Sequence, residues 1–233
     1  MKNKKVLITG GSRGVGKDLA QKISKNNEII VLSRTKPEFI DKNNHITHIK
    51  LDLNNPKEIS GIVKNNKSLF NDIDLLINNA AVLFSSPLVL MSDEQILQQI
   101  NVNFSSHLLL CKIVSRGMMR KKNGHIINVS SMATQVKAKG DSVYAATKSA
   151  MDIFAQILNN ELNSYNIRVN NIAISATKTG MLSNLTAGDP EKILKYIPHN
   201  SFSTSNDIIE IIEFLVDSNT NQIGGQTIYL GGV

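Results

Sequence analysis

Tyr144 and Lys148 stand four residues apart in Y-A-A-T-K, and Ser131 lies thirteen residues before the tyrosine, at the end of the apolar run H-I-I-N-V-S-S. Four residues is about one helical turn, so a phenol and an ammonium would share a helix face, with a strand-end hydroxyl available to meet them. That combination suits proton transfer. A phenol with a reference pKa near ~10 is a poor base until a nearby cation favours its phenolate. The pair alone decides little, because the chain has four tyrosines and is rich in lysine, so a Tyr-x-x-x-Lys spacing arises readily by chance. Its meaning depends on the elements that would have to position it.

Short β-branched, apolar runs alternate with longer helical patterns: 5–9, 28–33, 46–51, 73–78, 125–130, 167–173 and 226–230. Fully apolar short runs separated by helices predict a parallel sheet covered on both faces, because right-handed βαβ crossovers place helices there. The expected fold is α/β, a doubly wound sheet of seven mostly parallel strands. The stretch K-P-E-F-I-D-K-N-N-H at 36–45 is too interrupted for a good helix, so that crossover is expected to be irregular. No internal repeat or linker divides the 233 residues, and a single domain over 1–233 is expected.

The single cysteine, Cys111, lies in H-L-L-L-C-K-I-V, where a buried thiol is expected, and one cysteine forms no internal disulfide. A cytoplasmic, soluble and unprocessed protein is expected: no apolar run reaches membrane-spanning length, and M-K-N-K-K-V-L-I-T-G leads directly into the first strand. The net charge of +7 is uneven, with fourteen Lys and Arg against six acids in residues 1–70, and four acids without a Lys or Arg in 201–233. Aromatic residues are only 5% of the chain and no zinc, helix-turn-helix or RNA-binding signature accompanies the lysines, which argues against nucleic acid and for a solvated surface or an anionic ligand. Five histidines (45, 48, 107, 125 and 199) lack metal-ligand spacing, and no metal is expected.

The first run leads into T-G-G-S-R-G-V-G, with Gly10, Gly14 and Gly16 before the helical stretch K-D-L-A-Q-K-I. Glycines there allow a tight turn and close approach of a pyrophosphate, whose charge would face the first N–H groups of the helix. An acidic residue at the end of the second strand would suit a ribose 2′-hydroxyl, but the chain has Ser33-Arg34-Thr35. Cations favour a 2′-phosphate, so the expected cofactor is NADP(H), with Arg13 as a second cation.

The glycine loop, N-N-A-A at 78–81, Asn103 in I-N-V-N-F, Ser131 and Y-A-A-T-K together resemble the short-chain dehydrogenase/reductases, in this order and over nearly the whole chain. The resemblance implies a single Rossmann-type domain, in which Tyr144 exchanges a proton with a carbonyl or hydroxyl oxygen that Ser131 holds. Lys148 would favour the phenolate and bind the nicotinamide ribose, and Asn103 would support an ordered water behind the lysine. For the cofactor it implies contacts from Gly10, Ser12, Arg13, Gly14, Val15, Gly16, Ser33, Arg34, Thr35, Asp52, Leu53, Asn79, Ala80, Ala81, Tyr144, Lys148, Ile174, Thr177 and Thr179. Two departures stand out: Ala81 where glycine is more usual, and Ile174-Ser175 in place of Pro-Gly, which would set a bulkier residue and a hydroxyl near the nicotinamide. Residues 181–200 are expected to form the substrate lid.

Reduction of a ketone to a secondary alcohol is the expected reaction. The overall resemblance runs to 3-oxoacyl-carrier-protein reductases, whose acidic partner suits basic residues near the site mouth. Lys122 matches one such position, whereas Tyr165 occupies the other; Lys137 and Lys139 are further candidates for an anionic substrate. A sugar, polyketide or other small ketone is the alternative substrate, and a non-catalytic NADP-binding scaffold or sensor the alternative class. The apolar helices around 94–119 and 142–163 match those through which the family pairs, implying a homodimer or homotetramer.

Overall fold

In the computed structural model, which describes residues 1–177, 194, 197–217 and 222–232, the seven apolar runs become strands β1 (Lys5–Thr9), β2 (Glu28–Ser33), β3 (Ile46–Lys50), β4 (Leu75–Asn78), β5 (Gly124–Ser131), β6 (Ile167–Ile174) and β7 (Thr227–Tyr229). They form one sheet in the order β3-β2-β1-β4-β5-β6-β7, and every pairing is parallel. The order reverses between β1 and β4, which are neighbours, so the crevice at their carboxyl ends is the natural ligand site of such a sheet.

Strands β1, β2 and β4 read as nearly unbroken apolar runs because both faces are buried. On β1, Leu7 packs into one core layer, whereas Val6 and Ile8 pack into the other; on β4, Leu76 is divided in the same way from Leu75 and Ile77. Helices cover both faces: α1 (Gly14–Ile23), α2 (Ile59–Asn65), the short α3 (Lys67–Phe70), α4 (Asp93–Ile100), α5 (Ser106–Lys121), the short α6 (Ala133–Val136), α7 (Ser142–Leu162) and α8 (Ser205–Asp217). Helix α4 starts at a capping box in which Ser92 Oγ accepts from Gln95 N at 3.3 Å and Ser92 N donates to Gln95 Oε1 at 3.2 Å. The crossover after β2 is a 3₁₀ turn, Glu38–Lys42, as the broken pattern there implies.

Two features were not anticipated from the sequence. Residues Asn101–Ser105 form a π-turn joining α4 to α5. A buried amide ladder also crosses the sheet: Asn78 Nδ2 donates to Asn128 Oδ1 at 2.8 Å, Asn128 Nδ2 to Asn171 Oδ1 at 2.9 Å, and Asn171 Nδ2 to Thr227 Oγ1 at 3.1 Å. These four residues are direct partners in the β4–β5, β5–β6 and β6–β7 registers. A one-residue slip of any of the strands would strand these amides without partners, so the ladder fixes register where apolar contacts alone would be permissive.

Candidate active site

The carboxyl ends of six adjacent strands lie in a row, and the residues singled out in the sequence are distributed along it. Gly10 N donates to Leu32 O at 2.8 Å and Leu51 N to Ser33 O at 3.2 Å, which seats the glycine loop, the Ser33-Arg34-Thr35 step and Asp52 side by side. At about 4.8 Å between strands, the row from β3 to β6 spans roughly 24 Å.

The glycine loop is shaped by close approach. Gly10 and Gly14 have φ of 71° and 54°, in the region that favours glycine. A Cβ on Gly16 would come within 2.4 Å of Asn79 Nδ2 and 2.5 Å of Gly10 O, and one on Gly10 within 2.9 Å of Ala80 Cα. Asn79 and Ala80 are in turn held by Thr9, whose Oγ1 accepts from both of their backbone N–H groups at 2.9 and 3.0 Å. Helix α1 begins after Arg13 with no side-chain cap and no acid in its first turn. Its leading amides are therefore left for an anion, and the bare backbone leaves room for one to approach. Ser12 is half-buried, Val15 buried, and Arg13, Arg34 and Thr35 exposed. No described carboxylate pairs with either arginine. Ser33 behaves differently: its hydroxyl donates to Thr35 O at 2.9 Å and lies 3.0 Å from His48 Nε2, so it shapes the turn. Leu53 is a core residue, and Asp52 Oδ1 accepts from Asn54 N at 2.9 Å.

The chemical trio is brought together. Ser131 ends β5, beside Ile174 at the end of β6, while Tyr144 and Lys148 share one face of α7, the ammonium 5.8 Å from the ring centroid. Both are buried, with 7% and 3% of their surface exposed. Lys148 Nζ donates to Val129 O at 2.7 Å. Burial pushes the phenol up to about 12 and the ammonium down to about 8; Ser131 opposes the first shift and Asp152 the second, while Asp141 adds to the first. Two groups with nearly equal pKa values in water are thus pushed apart at one spot, the Lys148 ammonium down and the Tyr144 phenol up, and paired groups displaced in this way mark a site of acid–base chemistry.

Asn103 is wholly buried in the π-turn. Its Oδ1 accepts from Val82 N at 2.8 Å, and its Nδ2 donates to Val82 O at 2.9 Å and to Thr147 Oγ1 at 3.3 Å. The side chain clamps the segment after β4 onto α7, and no hydrogen bond joins it to Lys148. His107, one turn on, bonds the Asn103 carbonyl through its ring and lies 3.3 Å from Thr9 Oγ1 through Nε2. Burial drives it down to about 3, so this bridge between the two halves of the site is neutral. Neither His107 nor Thr9 stood out in the sequence. Their only signal was polarity inside apolar runs.

The Ile174-Ser175 step differs from the expectation. Ser175 Oγ lies 2.6 Å from Ser203 Oγ, and the residue is packed where a Cβ on Gly231 would meet it at 2.8 Å, so its hydroxyl is occupied within the fold. Thr177 forms a parallel bridge with Ser203. Thr179 and most of 181–200 lie outside the described residues. Lys122 and Tyr165 immediately precede β5 and β6. They lie at the opposite ends of those strands from Ser131 and Ile174, roughly 23 Å away at 3.3 Å per residue, so within one chain they do not line the mouth of the site.

The short chain dehydrogenase model matches residues 4–190. The chain belongs to the short-chain dehydrogenase family. Among relatives, it is 34% identical over 232 residues to the 3-oxoacyl-[acyl-carrier-protein] reductase of Buchnera aphidicola subsp. Baizongia pistaciae, covering 97% of this chain and 95% of that one. Among solved structures, a short chain dehydrogenase from Leptospira borgpetersenii with bound NAD+ superposes with a TM-score of 0.85 at 27% identity, covering 100% of this chain and 92% of that one. A variant of ElxO with NADPH bound gives a TM-score of 0.86 at 24% identity, covering 98% and 97%. Family membership makes the chain an oxidoreductase acting on CH–OH or C=O groups, and the glycine cradle and uncapped α1 fit the pyrophosphate of a nicotinamide dinucleotide. Among the described residues, no helix is long and apolar enough to cross a membrane, and no three of His, Cys, Asp and Glu cluster as a metal site.

Proposed function

We propose that the protein is an NADPH-dependent ketone reductase, with a 3-oxoacyl thioester as the best-supported substrate. The observation that carries this reading is the convergence of Ser131, Tyr144 and Lys148 at the end of β5, next in the sheet to the glycine cradle of β1 and β4. When bound, the reduced dinucleotide supplies a hydride. Gly10, Ser12, Gly14, Val15 and Gly16 would hold its pyrophosphate, Asn79, Ala80 and Ala81 its adenosine ribose, Asp52 and Leu53 its adenine, and Ile174 and Thr177 its nicotinamide end. Arg13 and Arg34 would hold a 2′-phosphate, because no described carboxylate pairs with either and the end of β2 lacks an acid.

At the chemical end, Ser131 and Tyr144 donate hydrogen bonds to the carbonyl oxygen, and Tyr144 gives up its proton as that oxygen gains negative charge. Lys148, anchored by Val129 O, keeps two N–H donors for the ribose and holds positive charge beside the phenol, countering the burial that makes Tyr144 a weak acid. Asn103 acts by holding Val82 and Thr147 in place around α7. The similarity to a 3-oxoacyl-[acyl-carrier-protein] reductase supports the thioester as substrate and an acyl carrier protein as its bearer. The exposed Leu97 and Ile100 of α4 and Ile153 and Ile157 of α7, elements that pack together, support a homodimer or homotetramer; a monomer in light scattering would refute it.

The purified protein is expected to oxidise NADPH with acetoacetyl-CoA, and Tyr144→Phe to lower that rate by about 10²–10⁴. Binding of NADPH with no turnover across acyl, sugar-like and small ketones, unchanged by Tyr144→Phe, would leave only a scaffold or sensor.

A further inference from the structure

Lys148 must keep its charge in a place that removes it from water, so the group that offsets this cost deserves identification. One helical turn along α7 stands Asp152, on the same face. Its side chain is 8% exposed, and its Oδ1 has no hydrogen-bond partner. Unpartnered buried carboxylate oxygens are uncommon and call for an explanation. The Ser130 hydroxyl on β5 faces the carboxylate. The residue also lines an open polar cavity of about 670 Å³ with Ser149, Gln156 and Thr227; burial raises its carboxyl pKa, whereas Ser130 and Lys148 favour the ionised form.

We propose that Asp152 is a positioning residue which, acting through Lys148, keeps that ammonium protonated under working conditions. The inference rests on the reading of Tyr144 and Lys148 given above. Other groups around the pair do not perform this task. On α5, His107 is neutral and feels Lys148 as a repelling charge. Val129 O and Ser131 of β5, and Asn171 of β6, whose Nδ2 donates to Asp152 O at 3.4 Å, carry no charge. Asp141, before the start of α7, acts on Tyr144 and raises its pKa. Among the described residues, Asp152 is the one charge that supports the charged form of Lys148, against a burial that lowers its pKa.

The test is the pH dependence of NADPH binding, followed by cofactor fluorescence without any substrate. For wild-type protein, affinity should weaken with a midpoint near 8, where Lys148 loses its proton. Asp152→Asn should move that midpoint down by about one unit or more, as loss of a close opposite charge does, and Asp152→Glu should restore most of it. A merely structural role would lower thermal stability and leave the midpoint in place, and an unmoved midpoint in folded Asp152→Asn overturns the proposal. Should that variant not fold, wild-type protein carrying ¹³C-labelled aspartate decides instead: the Asp152 carboxyl resonance should shift as Lys148 titrates, and a flat resonance overturns the proposal. Failure of the underlying reading is separate, since it would show as acetoacetyl-CoA reduction surviving in Tyr144→Phe whatever Asp152 does.

Discussion

The two halves of the strand-end row treat charge in opposite ways. Around β1, β2 and α1, Arg13 and Arg34 are exposed, and recognition is left to bare backbone amides and glycines. Around β5, β6 and α7, Tyr144, Lys148 and Asp152 are buried among neutral amides and hydroxyls. A half that only needs to hold an anion can work in water, because exposed cations and helix-end amides cost little to maintain. A half that must alter acidity has to exclude water, and so it carries a standing desolvation cost.

Lys148→Met breaks this contrast most directly. It keeps an unbranched side chain of similar length and removes the charge, so reduction of acetoacetyl-CoA should fall by about 10²–10⁴. Thermal stability should fall only modestly, because the cost of burying an ammonium is removed while Val129 O and Asp152 lose their partner. A variant that lost activity and also melted well below wild type would mean that the ammonium is structural. Next in size is the amide ladder. Asn128→Leu leaves Asn171 Oδ1 and part of Asn78 without a partner, a loss of about 2–3 kcal/mol in urea unfolding. NADPH affinity should change less, because none of the ladder amides is among the residues assigned to the dinucleotide.

Those two sites also mark how far the sequence can be read. Strand runs such as 5–9 and 28–33 coincide with β1 and β2, because a strand buried on both faces has no reason to contain polar residues. Tyr144, Lys148 and the glycines were legible because helix period and backbone sterics act over a few residues. The ladder was not: Asn78, Asn128 and Asn171 are 50 and 43 residues apart and meet only once the register is set. Nor was the Thr9–His107 contact, which joins residues 98 apart. Ser175 shows the same limit from the other side. Its replacement of glycine was visible, but the direction of its hydroxyl was decided by Ser203 and Gly231, which nothing local specifies.

Acid should reveal the buried half before the exposed one. His107 and His125 are both driven down to about 3 by burial, with Lys148 and Arg168 respectively adding to the effect. Both groups are neutral when folded and titrate near 6.5 when unfolded, so the unfolded chain binds more protons as pH falls. Their contribution to stability is complete above about pH 6.5 and is lost progressively from there toward 3, at up to ~1.4 kcal/mol per unit for each residue. Chemical denaturation at pH 7.5 and 5.5 should show this loss. His125→Gln, which keeps a neutral hydrogen-bonding side chain opposite Asn170, should remove about half of the pH dependence; an unchanged slope would place the effect elsewhere.

The smallest expected effect belongs to Arg34, and it defines the exposed half. A guanidinium at the end of β2 with no described carboxylate beside it is free to take both oxygens of a 2′-phosphate. Because it is exposed, salt and water weaken that contact, so Arg34→Ala should reduce NADPH affinity by only about tenfold and leave NADH affinity unchanged. Raising the salt concentration should narrow the wild-type preference for NADPH, while the midpoint of the pH profile governed by Lys148 should stay nearly fixed, since a buried pair is screened far less. Equal affinity of wild type for the two dinucleotides, unaffected by Arg34→Ala, would remove the 2′-phosphate from the account and make the exposed arginines surface charges only.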